Sequence, residues 1–503
     1  MVRTVIDFLK RTYEAFPEKT ACVNELSSIS YRELWEDSHR IADHLFDLVR
    51  IGEPVPVLMK KSCAALKVIW GIIKAGGCYV MIDPSLPKVR IESILRTLHA
   101  GWLISDRADS AKVPDPLKVY PLAALLLPQK ETGMDRVAQR CGEICDIDPL
   151  YIMFTSGSTG VPKGIVASHR SVVDFITCFT DLFYIDERDV IGNQAPWDFD
   201  VSVKDIFSSA RTGATLQIIP KKYFSFPAQL VDFLDERQVT TLIWAVSALN
   251  IISSRGALAR KRPGRIQKII FSGEVMPVKQ YNIWRSYYPE ALFVNVYGPT
   301  EITCNCTYHI VDGLYAEGKV IPIGSPFPNE RVFLLDADDR LISGEKKDPE
   351  LVGEICVSGT AVTMGYYDNC SATDLAFVQN PLNQRYIEII YRTGDLGYYN
   401  EDGILCYRCR KDFQIKHLGH RIELTEIERA IHSVPGVANC CCIYQNPQIF
   451  ALYEGQAEPG TILSTIRQIL PSYMIPGKLL HLDQMPLNRN GKIDRTKLTE
   501  YLE

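Results

Sequence analysis

Residues 151–164, YIMFTSGSTGVPKG, join an apolar run to a turn rich in hydroxyl groups. Gly157, Gly160 and Gly164 allow the backbone to turn sharply and to approach a ligand closely. The turn carries four side-chain hydroxyls, those of Thr155, Ser156, Ser158 and Thr159. Such a loop behind a strand can hold phosphate oxygens, and Lys163 would add a cation at its end. The spacing differs from the G-x-x-x-x-G-K-[ST] loop, so the stretch predicts a phosphate-binding loop of another kind.

Strand-like and helix-like patterns alternate along the chain. Runs rich in valine, isoleucine and phenylalanine include LYIMF at 150, TTLIWAV at 240, KIIFSGE at 268 and LFVNVYG at 292. Ser30 and Glu33 form a capping box, which predicts a helix that begins just after Ser30. Alternation of this kind is typical of an α/β architecture with largely parallel sheets.

The character of the sequence changes near Gly403, from turn-rich segments to charged ones. We place a domain boundary at about Asp412, which divides the chain into residues 1–411 and 412–503. The fold predicted is a multi-domain α/β protein. A large N-terminal domain of stacked, mostly parallel sheets with flanking helices would precede a small, mobile α+β domain of ordinary domain size.

The composition of the 503-residue chain is that of a soluble globular protein, with 46% hydrophobic and 23% charged residues. A formal net charge of -5 gives no electrostatic reason to expect nucleic acid as a partner. The longest apolar passage, from Ala65, is interrupted by Lys67 and Lys74, which predicts buried helix and strand and no membrane span. The 15 cysteines and the absence of a secretory leader pattern predict reduced thiols, no zinc site and a cytoplasmic protein.

Six motifs in fixed order give the chain a family resemblance. After the loop at 151–164 come NVYGPTE at 295, YRTGDLG at 391, RKDFQIK at 410, LPSYMIP at 470 and NRNGKIDR at 488. The set resembles the signatures of adenylate-forming enzymes, a superfamily of acyl-CoA synthetases, luciferases and amino-acid adenylation domains. With NQAPWDFDVSVKDIF at 193, the chain looks most like D-alanine:carrier-protein ligases and the adenylation domains of nonribosomal peptide synthetases. The resemblance implies that ATP and a carboxylate give an acyl-AMP, whose acyl group then passes to a phosphopantetheine thiol.

The resemblance implies a nucleotide site. Tyr297 would stack on adenine, Thr300 would contact phosphate, Asp395 would accept hydrogen bonds from the ribose hydroxyls, and Arg410 would contact the ribose. The complete set of implied ATP- and AMP-binding residues is Thr155, Ser156, Gly157, Ser158, Thr159, Gly160, Lys163, Gly273, Asn295, Tyr297, Gly298, Thr300, Asp395, Arg410 and Lys492.

Three residues are implied to be catalytic: Lys492, Glu301 and Thr155. Lys492 matches the lysine that reaches from the small domain to the substrate carboxylate and the α-phosphate. Glu301 would help to hold Mg²⁺, a cation that suits carboxylate and phosphate oxygens. Asp412 matches the hinge aspartate about which the small domain rotates between the two half-reactions. The residue before Arg410 is usually glycine in this motif and is cysteine here.

Asp200 distinguishes between classes of acid. A buried carboxylate would pair with the ammonium of an amino acid, whereas a fatty or aryl acid would leave it unpaired at a high cost. The sequence therefore favours an amino acid of either chirality. The family's pocket positions carry over to Asp200, Val201, Lys204, Trp244, Ile270, Ser272, Val296, Cys304, Asn305 and Lys492, with Trp244 placed by an ungapped alignment.

Two pocket residues have specific expectations. The bulk of Trp244 would shorten the pocket and favour a small or medium side chain. Lys204 could recognise an acidic or polar side chain, or it could pair with Asp200 at i,i+4 or face outward.

Two other functions remain open. An acyl-CoA or aryl-CoA ligase of the same fold would use free CoA and ignore a substrate ammonium. An inactive adenylate-binding scaffold would have no physical need for Lys492, Glu301, Asp395 and the intact glycine loop. Because the chain continues only a few residues beyond NRNGKIDR, we expect the acceptor to be a separate carrier protein.

Overall fold

The computed structural model describes residues 2–106, 113–114, 117–127, 135–157, 161–346, 348–412, 414–445, 447–486 and 493–502. The strands of this part of the chain are β1 (Thr20–Val23), β2 (Ser28–Ser30), β3 (Pro54–Leu58), β4 (Cys78–Ile82), β5 (Trp102–Ser105), β6 (Lys118–Pro121), β7 (Pro149–Thr155), β8 (Lys163–Ser168), β9 (Val190–Asn193), β10 (Thr215–Ile218), β11 (Thr241–Ala245), β12 (Lys268–Ser272), β13 (Leu292–Tyr297), β14 (Thr307–Ile310), β15 (Ser325–Pro326), β16 (Glu330–Leu335), β17 (Leu341–Ile342), β18 (Gly353–Gly359), β19 (Phe377–Gln379), β20 (Ile389–Tyr399), β21 (Leu405–Arg410), β22 (Gln414–His417), β23 (His420–Glu423), β24 (Val437–Gln445), β25 (Gln448–Gly455) and β26 (Lys478–His481). The helices are α1 (Val5–Ala15), α2 (Tyr31–Leu45), α3 (Cys63–Lys74), α4 (Lys88–Thr97), α5 (Leu122–Leu125), α6 (Arg136–Glu143), α7 (His169–Leu182), α8 (Val201–Thr212), α9 (Pro227–Glu236), α10 (Val246–Ser254), α11 (Ala257–Arg260), α12 (Val278–Tyr287), α13 (Cys370–Ala376), α14 (Leu424–His432), α15 (Pro459–Ile469) and α16 (Arg495–Leu498).

Two large sheets form the N-terminal part of the fold. One has nine strands in the order β15-β14-β13-β12-β11-β9-β10-β1-β2, and the other has six in the order β6-β5-β3-β4-β7-β8. Their interior pairs are parallel, and antiparallel pairs occur only toward the edges. The α/β prediction with mostly parallel sheets is therefore confirmed.

Helices α2, α3, α7 and α8 fill the space between the two sheets. The largest core cluster joins apolar residues of these helices to one face of each sheet, whereas the opposite face of the nine-stranded sheet packs against α9, α10 and α12. Side chains alternate between the two faces along a strand. Ile243 of β11 consequently faces the central core, and its neighbour Trp244 faces the outer one.

The helices and strands predicted from local sequence signals are present in the structure. Ser30 is the N-cap of α2, where its Oγ accepts from the Glu33 backbone N–H at 3.1 Å and its own N–H donates to Glu33 Oε2 at 2.7 Å. The apolar passage from Ala65 forms α3 and β4, which are almost entirely buried. In the described residues, no helix is both long and apolar enough to cross a membrane.

Two smaller assemblies complete the chain. Strands β17-β16-β18-β20-β19 form a third sheet, and β21 pairs with β20. Beyond residue 412, β22 and β23 form a hairpin, and the sheet β24-β25-β26 packs against α14 and α15 around its own apolar core. All 15 cysteines are free thiols, and the described ranges contain no group of three or more His, Cys, Asp or Glu residues that could hold a metal ion.

Candidate active site

A small cavity lies where the carboxyl ends of β12 and β13 meet the start of α8. Its volume is about 40 Å³, and it is lined by Phe199, Asp200, Val201, Ser272, Gly273, Gly298, Pro299, Thr300, Cys304, Asn305, Lys416, Gly419 and Arg421. Parallel sheets of α/β proteins bind ligands at this edge. Eight of the lining residues were predicted from the sequence, and the last three come from the hairpin of β22 and β23.

The turn after β13 shapes one wall of this cavity. Gly298 passes so close to Asn305 that an added Cβ would lie 2.5 Å from the Asn305 Cα, so no larger residue fits. Thr303 and Cys304 have φ angles of 42° and 83°, in the left-handed region that residues other than glycine rarely adopt. Consecutive strained residues of this kind persist where the surrounding structure enforces them, and they cluster at functional sites.

Asp200 stands at the N-terminal end of α8 and is 4% exposed. Burial raises the pKa of its carboxyl group, and hydrogen bonding to the Thr300 side chain and the charge of Lys204 partly offset that rise. An ammonium group placed in the cavity would favour the carboxylate form. The position therefore suits a ligand that carries a positive charge.

Lys204 lies one turn further along α8 and points inward. Its side chain is completely buried, and its Nζ donates to Asn305 Oδ1 at 2.8 Å and to Ser272 Oγ at 3.3 Å. Among the described residues it forms no ion pair with Asp200 within 4.0 Å. Lys204 therefore neither faces outward nor pairs directly with Asp200.

The predicted nucleotide residues converge on Asp395. The Tyr297 hydroxyl donates to Asp395 Oδ2 at 2.5 Å, and Arg410 Nη1 donates to Asp395 Oδ1 at 2.9 Å. Arg410 also donates to both carboxylate oxygens of Asp412, at 2.7 and 2.8 Å. The carboxylate predicted to bind ribose, the predicted hinge residue and the predicted stacking ring thus form one connected network.

The glycine loop begins directly after β7. Thr155 ends that strand, and the Ser156 Oγ donates to the Arg421 carbonyl at 2.8 Å while accepting from the Glu423 N–H at 3.2 Å. An added Cβ at Gly157 would lie 2.0 Å from the Val161 carbonyl oxygen, which requires glycine there. The other predicted loop residues, Ser158, Thr159 and Gly160, lie outside the described residues, as does Lys492.

Glu301 is fully engaged by protein groups. The Tyr366 hydroxyl donates to its Oε1 at 2.8 Å, and Arg421 Nη1 pairs with its Oε2 at 2.8 Å. Burial raises the pKa of Glu301, but Arg421 and Tyr366 outweigh burial, so the net pKa lies below the ordinary value. A carboxylate of this kind is a suitable Mg²⁺ ligand, since Mg²⁺ in phosphate sites needs only one or two protein carboxylates.

The remaining predicted residues are distributed around the site. Lys163 Nζ lies 5.3 Å from the Tyr366 ring centroid, the Asn295 side chain donates to the Pro322 carbonyl at 2.7 Å, and Gly273 has a φ of 93°. Ile270 and Val296 are buried in the central core beneath the cavity.

The structure does not bring Trp244 to the cavity, which corrects its placement. In the parallel register, Ala245 pairs with Ser272 and Trp244 pairs with Phe271, so Trp244 lies on the outer face of the sheet. Its indole N–H donates to the Gly192 carbonyl at 2.7 Å. The residue next to the cavity is therefore Ala245, one position further along the strand.

The hairpin of β22 and β23 contributes residues that the sequence reasoning missed. Lys416 Nζ lies 5.3 Å from the Tyr297 ring centroid, and the Gly419 N–H donates to Glu274 Oε1 at 2.7 Å. The signal was present in QIKHLGHRIE at 414, where two histidines, two cations and a glycine interrupt a strand-like pattern. Its contact with the larger part of the chain is a long-range feature that local patterns do not encode.

Comparison with known proteins identifies the class to which this fold and site belong. The AMP-binding enzyme family matches residues 9–367, and the C-terminal domain of AMP-binding enzymes matches residues 426–492. The chain belongs to the AMP-binding enzyme family. Within it, the chain is an adenylate-forming enzyme of the type that includes nonribosomal peptide synthetase adenylation domains and D-alanine ligases, so the resemblance inferred from the motifs is confirmed.

Its relatives differ greatly in length. D-alanine--D-alanyl carrier protein ligase of Bacillus velezensis is 30% identical over 513 residues, which cover 99% of each protein. A subunit of the mycosubtilin synthase of Bacillus subtilis is 31% identical and tyrocidine synthase 1 of Brevibacillus parabrevis is 30% identical, each over 99% of this chain. The chain spans 19% and 45% of the length of these two synthase proteins, respectively.

Solved structures share the fold. The adenylation domain AlmE of Vibrio cholerae, in complex with glycyl-adenosine-5'-phosphate, has a TM-score of 0.85 at 23% identity, with 99% of this chain and 98% of that chain covered. IdnL1 has a TM-score of 0.81 at 26% identity, with 96% and 98% covered.

Proposed function

We propose that the protein activates an amino acid and transfers it to a carrier protein. A carboxylate oxygen of the amino acid attacks the α-phosphorus of ATP, and pyrophosphate leaves. The thiolate of a phosphopantetheine arm then attacks the acyl carbon of the aminoacyl-AMP, and AMP leaves. A relative that is matched over 99% of its length and is named D-alanine--D-alanyl carrier protein ligase supports this proposal.

The burial of the Asp200 carboxyl group at the cavity is the observation that carries the proposal. The buried carboxyl group of Asp200 and the side chain of Thr300 face the same cavity. Thr300 directly precedes Glu301, the candidate ligand of the metal. A substrate ammonium there would be paired, and the carboxylate of the same molecule would lie toward the phosphate-binding residues. Positioning of this kind supplies much of the rate enhancement in phosphoryl and adenylyl transfer.

The chain's own residues have distinct roles in this scheme. Asp395 and Arg410 hold the ribose, Tyr297 supports the adenine, and the glycine loop with Thr300 receives the phosphates. Mg²⁺, held by Glu301, would neutralise phosphate charge when bound. Lys492 approaches the α-phosphate and the substrate carboxylate during the first half-reaction, with Asp412 as the hinge between residues 1–411 and 412–503.

Amino-acid-dependent exchange of pyrophosphate into ATP tests the proposal. The full set of L- and D-amino acids is compared with simple carboxylic acids, using the wild type and Asp200→Asn. We expect exchange with one or a few amino acids and its loss by at least about 100-fold in the variant, because the ammonium loses its counter-charge. Exchange with carboxylic acids alone would overturn the proposal.

The acceptor is tested separately. Transfer of a radiolabelled aminoacyl group from preformed aminoacyl-AMP to a phosphopantetheinylated carrier protein added in trans should greatly exceed transfer to free CoA. Preference for free CoA would identify an acyl-CoA ligase of the same fold. Failure of both half-reactions with every acid would leave the inactive scaffold as the remaining function.

A further inference from the structure

Lys204 is a buried cation directly behind the cavity. Its two hydrogen-bond acceptors, Asn305 Oδ1 and Ser272 Oγ, are neutral, and both residues also line the cavity. An ammonium group has three hydrogens to donate. Among the described residues, the hydrogen-bond acceptors of Lys204 belong to the cavity wall, although an anion would pair its charge better.

The nearby carboxyl groups balance this charge incompletely. Burial raises the pKa of Asp205 to about 7, against the opposing hydrogen bond from Asn193 and the charge of Lys204. One oxygen of Asp205 accepts from the Asn193 amide, and the other has no hydrogen-bond partner in the described part of the chain. Asp200, the other neighbour, would be occupied by the substrate ammonium if the proposed function is correct. A buried ammonium without a full counter-charge is unfavourable, so a bound anion would stabilise it.

The Asp200 carboxylate and the Lys204 ammonium are spaced so that one amino acid could contact both. Asp200 and Lys204 stand one helical turn apart on the same face of α8, where Cβ atoms are about 5–6 Å apart. An amino acid whose ammonium meets Asp200 would therefore direct its side chain toward Lys204, past Val201 and Cys304. The cavity is small, with a volume of about 40 Å³, which favours a short side chain over a long one.

We propose that Lys204, assisted by Asn305 and Ser272, recognises the end of the substrate side chain, and that the substrate is a small amino acid whose side chain ends in a carboxylate. This inference rests on the proposed function and names the substrate class for its site. Lys204 is a specificity-determining residue in this scheme and takes no part in the adenylyl transfer.

Pyrophosphate exchange with matched substrates tests the inference. Aspartate, asparagine and 2-aminobutyrate have side chains of similar length that end in a carboxylate, a carboxamide and a methyl group, and each is assayed in both chiral forms. We expect kcat/KM for aspartate to exceed that for 2-aminobutyrate by at least about 100-fold, because a site built for hydrogen bonding rejects an analogue that cannot form those bonds. In Lys204→Met this ratio should invert. A wild type that prefers asparagine or 2-aminobutyrate would overturn the carboxylate assignment.

A second variant guards against a misfolded Lys204→Met protein. Asn305→Asp places a carboxylate at the position that already accepts from Lys204 at 2.8 Å, with almost no change in shape. We expect this internal partner to lower the kcat/KM ratio of aspartate to 2-aminobutyrate in the same direction as Lys204→Met. Lys74→Met is the matched control, since Lys74 is also buried but donates to the Trp35 carbonyl, and neither of these residues lines the cavity.

The outcomes separate this inference from the proposed function. If Lys204→Met and Asn305→Asp both catalyse exchange with the same preference among amino acids as the wild type, the role of Lys204 alone would be overturned. Exchange only with acids that lack an amino group would overturn the proposed function itself.

Discussion

Arg421 and Glu301 form a 2.8 Å ion pair between the hairpin of β22 and β23 and the turn after β13. Both side chains are largely buried, with exposed fractions of 13% and 3%. Arg421 thus supplies a cation to the carboxylate that is predicted to hold Mg²⁺. Nearby, Lys416 lies over the ring of Tyr297, where an adenine would stack.

A carboxylate of the same C-terminal region lies at the glycine loop. Burial raises the pKa of Glu426. The Arg90 guanidinium and a hydrogen bond from the Gly157 backbone N–H partly offset this rise. Arg90 Nη1 pairs with Glu426 Oε1 at 2.6 Å. The C-terminal region therefore places an anion near the predicted phosphate site and a cation at the predicted metal ligand. Charged ligands must compete with these contacts in order to bind.

Arg421→Met should favour the metal-bound nucleotide, because it frees Glu301 from its competing cation. We expect the Mg²⁺ concentration for half-maximal pyrophosphate exchange to fall roughly tenfold, the equivalent of about 1.4 kcal/mol. Titration of Mg²⁺ at fixed ATP and amino acid measures this change. Aminoacyl transfer to the carrier should slow in the same variant, since the hairpin loses a contact that holds it at the site.

Arg90→Met provides the control for that variant. It also removes an ion pair between the two parts of the chain, but it does not touch Glu301. The Mg²⁺ requirement should therefore stay at the wild-type value. Equal shifts in both variants would mean that general loosening of the two parts, and not competition at Glu301, is responsible.

Lys492→Ala should separate the two half-reactions. Without an ammonium at the α-phosphate, adenylate formation should fall by several orders of magnitude, whereas transfer from supplied aminoacyl-AMP should be largely preserved. Rapid-quench assays of each step measure the two rates. Lys478→Ala, at an exposed position on β26, should leave both steps unchanged. Equal loss of both steps in Lys492→Ala would argue against its assigned role.

Tyr297→Phe and Asp395→Asn test how much the hydrogen bond between these two residues contributes to ATP binding. Phenylalanine keeps the stacking ring but removes the hydroxyl that donates to Asp395 at 2.5 Å. We expect a rise of a few-fold in KM for ATP in Tyr297→Phe and a much larger rise in Asp395→Asn, which also weakens the pair with Arg410. Similar kinetics in the two variants would mean that Asp395 acts mainly through Tyr297.

The sequence predicted those features that local patterns encode. The capping box at Ser30 predicted α2, and the ordered motifs predicted most of the residues that line the cavity, such as Asp200 and Thr300. A strand assignment does not by itself fix which residues face which side. Trp244 was therefore misplaced by one position, a shift that moves a side chain to the opposite face of a sheet.

Interactions between distant segments were beyond local prediction. The expected alternatives for Lys204 were recognition, pairing with Asp200 or exposure, and only packing against Ser272 and Asn305 shows that it is buried behind the cavity. The pairing of Arg421 with Glu301 joins residues 120 positions apart. Such contacts depend on how the hairpin docks, which no spacing in the sequence specifies.

His420 should make stability fall in mild acid. Its ring stacks on Tyr473 with centroids 3.8 Å apart and lies 5.4 Å from the Phe199 ring centroid. Burial, with smaller contributions from Lys221 and His417, lowers the pKa of His420 from its ordinary 6.5 to about 4. Because the folded pKa lies below the unfolded one, the stabilisation is complete above about pH 6.5 and is lost progressively as the pH falls toward 4.

His420→Phe keeps an aromatic ring on Tyr473 but cannot bind a proton. Between pH 7.5 and 5.5 the wild type should lose about 1 kcal/mol more stability than this variant, which corresponds to one unit of titration below pH 6.5. Thermal melts at the two pH values measure the difference as a smaller drop in Tm for His420→Phe. His432→Phe, at an exposed position on α14, is the matched control and should keep the wild-type drop. An identical drop in Tm for wild type and His420→Phe would show that His420 is protonated without cost, and that the stack on Tyr473 opens readily.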